Sequence, residues 1–158
     1  MRDFVELPIE RVTNGPKHHF FAYYDKLQWD VSGSRILSME TSFMDRPPNP
    51  DDIANIGIIH LKSAPNFEKV AETKAWCWQQ GAMLQWIPGT QEPLIIFNDR
   101  ISDRFVALIM NVETGERRTL PRPIYSLTNN APMRALSLNF SRNAVTRPGY
   151  GYVGLQDQ

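Results

Sequence analysis

The sequence predicts an all-β fold of repeated antiparallel sheets, on three observations. Apolar residues rarely recur at helical spacing. Twelve prolines and nine glycines divide the 158 residues into short apolar runs of strand length. The run Leu27-Gln28-Trp29 returns as Leu84-Gln85-Trp86, each time followed by a turn and then an apolar strand.

Taken in order, the first copy leads from Trp29 through a turn at 30–34 into a strand at 35–43. Two further strands are predicted at 56–61 and 69–74, joined at 63–66, where Pro65 and Asn66 suit a hairpin. The second copy leads from Trp86 through 88–92 into a strand at 93–97, then strands at 105–112 and 117–120 joined by the turn 113–116, which holds Gly115. A weaker third copy starts at Tyr125-Ser126-Leu127, turns at 128–132 and continues as a strand at 134–140. Trp29, Trp86 and Leu127 thus mark matching innermost strands. Four antiparallel strands per unit, at intervals of roughly 40 to 57 residues, are the pattern of propeller blades. The longer first interval is assigned to an insertion at 45–52.

The fold class is therefore an incomplete β-propeller of about two and a half four-stranded antiparallel blades. Blade 1 covers about 18–75, blade 2 about 76–122, and the start of blade 3 about 123–158, in one partial domain. A linear stack of hairpins is the alternative. Closure of a propeller takes about four to eight blades, so the remaining blades are expected from a longer chain.

Composition narrows the function. With 42% hydrophobic residues the chain can bury a core, and 17 basic residues balance 17 acidic ones, so no overall field draws it to nucleic acid or to an anionic membrane. No run approaches the roughly 18 apolar residues of a membrane span. The first ten residues include Arg2, Asp3, Glu6 and Glu10 and lack the apolar run of a secretory signal. A single cysteine, Cys77, sits between Trp76 and Trp78, which rules out an internal disulfide and fits a reducing, cytoplasmic setting. With no neighbouring base, Cys77 reads as a buried, inert thiol.

Blade geometry collects one group of polar residues on a single face: His18, His19, Tyr23, Tyr24, Asp25 and Lys26 from the first blade, Gln79 and Gln80 from the second. Arg46, Arg100 and Arg142 join them, each two or three residues beyond a closing phenylalanine (Phe43, Phe97, Phe140). Three guanidinium groups on one rim would hold carboxylates, making an acidic oligosaccharide the expected ligand. The other use of Asp45-Arg46 and Asp99-Arg100 is to stitch neighbouring blades. Tyr23 and Tyr24 could stack on sugar rings or pack between blades. A divalent metal could take one of His18 and His19, since adjacent strand residues point to opposite sides, with Gln80, six residues before Trp86 as Tyr23 is before Trp29, and further ligands from the missing blades; the alternative is a histidine that hydrogen-bonds across the channel mouth. His60 reads as an ordinary strand residue. Phosphate loops, nucleophile elbows and metalloprotease helices are absent, and no catalytic residue is assigned.

The stretches His18-His19-Phe20-Phe21-Ala22-Tyr23-Tyr24-Asp25-Lys26 and Trp78-Gln79-Gln80-Gly81-Ala82-Met83-Leu84-Gln85-Trp86, with Phe97-Asn98-Asp99-Arg100, Leu136-Ser137-Leu138-Asn139-Phe140 and Arg147-Pro148-Gly149-Tyr150-Gly151-Tyr152, resemble the N-terminal part of an uncharacterised bacterial β-propeller family. That family is distantly similar to the oligogalacturonate lyase propellers, which cleave small pectin fragments by β-elimination. The resemblance implies a divalent metal such as manganese, with His19 and Gln80 as the matching ligands. Two readings follow: a metal-dependent lyase-like enzyme acting on acidic oligosaccharides, or a propeller scaffold that binds a peptide or sugar without chemistry. A fragment with no independent function is a third.

Overall fold

The computed structural model describes residues 7–62, 66–128 and 132–157. Two four-stranded antiparallel sheets account for most of it. The first runs β1 (His18–Phe20), β2 (Arg35–Thr41), β3 (Ala54–His60) and β4 (Phe67–Thr73), side by side in chain order. The second repeats that order with β5 (Gln85–Trp86), β6 (Leu94–Ile101), β7 (Arg104–Asn111) and β8 (Arg117–Leu120). A short hairpin of β9 (Ser126–Leu127) and β10 (Ala135–Leu136) follows, then one helix, α1 (Phe140–Thr146). No sheet closes on itself. No helix among the described residues is long and apolar enough to cross a membrane.

The strands form where β-branched and aromatic residues alternate in the sense a pleated sheet requires. Leu37 and Met39 of β2, Ile56 and Ile58 of β3, and Ile95, Phe97, Leu108 and Met110 of the second sheet share one core, so the sheets pack face to face. Odd and even positions of β6 point opposite ways. Ile96, with Phe105 and Ala107 of β7, therefore enters a second core completed by Ile124, Phe140 and Tyr152 from the C-terminal part. The second sheet is thus buried on both faces, which explains why its strands read as nearly continuous apolar runs.

The repeat occupies matching places. Trp29 bridges Ile36, Trp86 pairs with Ile95 and Leu127 pairs with Ala135, each against the second strand of a separate sheet. The two longer sheets differ where the chain approaches that point. In the second, Ala82 accepts from the Asn98 amide at 2.8 Å and only Met83, at φ 54°, and Leu84 lie before β5. In the first, β1 pairs with 39–41 and the chain then loops out through 21–28 before Trp29 returns. The insertion expected near 45–52 is the long β2–β3 connection, against a tight turn through Ser102 and Asp103 in the second sheet.

Two expectations are corrected. The strand at 134–140 ends at Leu136, and Phe140–Thr146 is helical. The Asn139 side chain accepts from the Arg142 amide at 2.9 Å and so caps the first turn, while Phe140 stacks on Tyr152 with ring centroids 4.2 Å apart. Gly151 packs directly on the helix backbone, where a Cβ would collide with Ala144 N and Phe140 O. The turn positions 129–131, like hairpin positions 63–65, fall outside the described residues. The second correction concerns the phenylalanines. With Trp29↔Ile36 and Trp86↔Ile95 aligned, Met39 is the counterpart of Asn98, since each lies three residues further on. Phe43 lies past the end of β2 whereas Phe97 is in the middle of β6, so they are not equivalent.

Asp30 anchors the turn into β2. Its carboxylate, on a side chain 4% exposed, accepts from Ser32 Oγ, the Ser34 and Arg35 amides and Arg35 Nε at 2.8 to 3.0 Å. Burial pushes this acid up, but the hydrogen bonds from Ser32, Arg35 and Ser34 together outweigh it and bring the pKa from 3.8 down to about 2. A carboxyl lowered on folding stabilises the protein above its unfolded pKa, and that stability is lost as the pH falls through the folded value. Between about pH 4 and 2, wild type should therefore lose about 2 kcal/mol that Asp30→Asn lacks at every pH. Urea midpoints measured across that window check it; parallel pH profiles for the two proteins would refute it.

Candidate binding site at the β1, β5 and β9 edges

The loop 21–28 is held across the edge of the second sheet. The Trp86 amide donates to Leu27 O at 3.0 Å and Trp86 Nε1 donates to Gln28 O at 3.0 Å, so the loop covers backbone that β5 would otherwise leave unpaired. Lys26 N bonds to Tyr23 O at 3.0 Å, which closes a turn with Tyr24 and Asp25 at its corner. Tyr24 is consequently 87% exposed.

Around this turn the C-terminal part supplies matching groups. Tyr23 lies 4.4 Å from Tyr24 and 6.5 Å from Tyr150, ring centre to ring centre. The Arg147 guanidinium rests 3.6 Å above the Tyr150 ring. Lys26 is buried, its ammonium 3.0 Å from Asp25 and 4.7 Å above the Tyr125 ring. A hydrogen bond with Tyr24, partial burial and the nearby phenols of Tyr24, Tyr150 and Tyr125 hold the Tyr23 hydroxyl above the ordinary tyrosine value. Four tyrosines and Arg147, drawn from 23–24, 125 and 147–150, thus gather around the buried Lys26.

The three arginines singled out by repetition are placed in unlike structures. Arg46 lies in the β2–β3 connection, stacked 3.8 Å over Phe43 and bound through both terminal nitrogens to Asp52. That bond, working against burial, takes Asp52 down to about 2. Arg100 lies within β6, its side chain 12% exposed, 3.4 Å from Asp51 and in contact with Gly154. Arg142 is on α1 and bonds Asp157 at 2.8 Å. Each guanidinium already has a carboxylate, so an incoming anion would compete with it. The acids that hold Arg46 and Arg100, Asp52 and Asp51, are neighbours in the β2–β3 connection. The connection carrying them is pinned by Trp76 Nε1 to Asp52 O at 3.0 Å and Trp78 Nε1 to Arg46 O at 2.7 Å. Asp99 accepts from Thr73 Oγ1 and the Lys74 amide, which ties the end of β4 to β6.

His19 and Gln80 are placed apart. His19 pairs with Glu40 in register and shares its face of the first sheet, with Nε2 3.2 Å from Glu40 Oε2 but outside hydrogen-bond geometry. Phe20 and Met39 occupy the opposite, core-facing side, and the turn holding Gln80 sits there, with Gly81 against Met39 Sδ and Ala22. Both His19 Nε2 and Gln80 Oε1 are buried without a hydrogen-bond partner among the described residues, yet the sheet lies between them. No cluster of three or more His, Cys, Asp or Glu fit for a metal occurs among the described residues. Cys77 is buried, and burial pushes its thiol up to about 11 against weaker lowering by the Gln80 and Gln79 amides. His60 pairs with Glu68 at 2.8 Å on the surface of the first sheet.

Sequence reasoning found Tyr23, Tyr24 and Lys26 but not their partners Tyr125, Arg147 and Tyr150. Tyr125 was visible as the head of the third copy, and Arg147 and Tyr150 only as part of the stretch 147–152, with no site role assigned to them. No known protein family, no curated protein and no solved structure matches this chain.

Proposed function

We propose that this chain is two blades and the start of a third of a β-propeller, and that the tyrosine cluster along its innermost strands binds an acidic oligosaccharide. The convergence of Tyr23, Tyr24, Tyr125 and Tyr150 with Arg147 and Lys26 carries the proposal. Tyrosine rings offer apolar faces to sugar rings and hydroxyls to sugar oxygens. Arg147, exposed and without a carboxylate partner among the described residues, can grip a uronate carboxylate with two parallel hydrogen bonds. The face-to-face packing of two four-stranded meanders, with the repeated runs at corresponding edges, supports the propeller reading. A metal-dependent lyase would use the same ligand and add a metal, but His19 and Gln80 supply no such centre here. Binding needs neither.

Calorimetric titration of the 158-residue chain with short oligogalacturonates and with neutral oligosaccharides of equal length tests this. Tyr24→Ala should weaken oligogalacturonate binding about three- to tenfold, with stability changed by no more than about 0.5 kcal/mol because the ring is exposed. Arg147→Gln should remove the preference for the acidic sugar. Equal affinity for acidic and neutral sugars, or unchanged binding in both variants, would overturn the assignment. Unsaturated product forming on incubation with oligogalacturonates would favour the lyase instead.

A further inference from the structure

We infer that the cleft between the segment before β1 and Trp78 is a separate site for a small aromatic or aliphatic monocarboxylate. The cleft encloses about 660 Å³. One wall is apolar. Phe20 and Trp78 lie with ring centres 5.0 Å apart, and Met44, 64% exposed, stands beside them. Trp78 has a single donor, and it is spent on Arg46 O, so the indole presents hydrocarbon alone. A flat or branched hydrocarbon body gains both burial and contact with a polarizable thioether.

The lining also includes basic side chains. Arg11, Lys17, His18 and His19 line the cleft, and no carboxylate does among the described residues. Lys17 is already neutralised, since its ammonium bonds Glu40 at 2.7 Å. Arg11 is exposed and makes no ion pair or hydrogen bond among the described residues. Its planar fork matches a carboxylate. Apolar rings and a guanidinium unpaired among the described residues, lining one cleft, suit a ligand with a single carboxylate at one end of a hydrocarbon body. This site shares no residue with the tyrosine cluster, and it stands if the oligosaccharide assignment fails.

The test is saturation-transfer NMR and tryptophan fluorescence on the 158-residue chain, with phenylacetate, indole-3-acetate and phenylacetamide as probes. The two carboxylates should bind and quench tryptophan emission, and the amide should bind at least about tenfold more weakly, as loss of a charge-assisted bond implies. Arg11→Gln, at an exposed position, should erase the difference between acid and amide. Met44→Ser should weaken all three probes while preserving the preference for acid. Tyr24→Ala should leave every value unchanged. No saturation transfer at millimolar probe, equal binding of acid and amide, or an unaltered preference in Arg11→Gln would each overturn the proposal.

Discussion

Asn98→Ala should destabilise the protein by about 3 to 5 kcal/mol, chiefly by detaching the C-terminal part from the second sheet. Asn98 is fully buried in β6. Its Nδ2 donates to Ile124 O at 2.8 Å and to Tyr152 Oη at 2.9 Å, and its Oδ1 accepts from the Ile124 amide at 2.7 Å. Alanine leaves three buried polar groups without partners, each at a cost of about 1 to 3 kcal/mol. Tyr152→Phe removes just one of these bonds and should cost about 1 kcal/mol. Denaturant melts give the totals. Hydrogen exchange locates them, and the Ile124 amide should lose protection in Asn98→Ala before the amides of β2 and β3 do. A loss of stability no larger than that of Tyr152→Phe would show that the Ile124 contacts contribute nothing.

Trp76→Ala comes next, at about 3 to 5 kcal/mol. The side chain is 1% exposed in the core between the sheets, with Phe20, Phe43 and Trp78 at ring separations of 5.8, 6.0 and 5.1 Å. Its indole also holds Asp52 O, so the variant should free the β2–β3 connection with Arg46 and Asp51 on it. Limited proteolysis within 42–53 should accelerate more than unfolding alone accounts for. Trp76→Phe keeps most of the packing but drops the bond to Asp52. It should cost less while still speeding cleavage. If cleavage stays slow in both variants, the tryptophan holds the core together without fastening the connection.

Much of the fold was legible because it depends on period and punctuation. β8 begins and ends at the residues expected of it, and β2, β3, β4, β6 and β7 lie where alternating apolar runs placed them, within a few residues at each end. The repeat of Trp29 and Trp86 also marked true counterparts, because each residue meets the second strand of its own sheet. The same reasoning misled at Phe43 and Phe97. A pair of letters followed by arginine looks alike in both places, but strand register, a property of two chain segments at once, puts one in a loop and the other in the core. At 134–140 the alternation Leu136, Leu138, Phe140 reads as a strand, and a local cap at Asn139 with a distant ring at Tyr152 makes its end a helix instead.

Composition and spacing alone were enough for the mostly β character and the two four-stranded antiparallel units. Pairing across the molecule was needed for the rest: the separation of His19 from Gln80 by a sheet, the capture of Arg46, Arg100 and Arg142 by acids of this chain, and the meeting of Tyr23 with Tyr150. The division has one cause. Side-chain period is set by the backbone within a few residues, whereas which groups meet depends on register and on the packing of segments far apart in the chain.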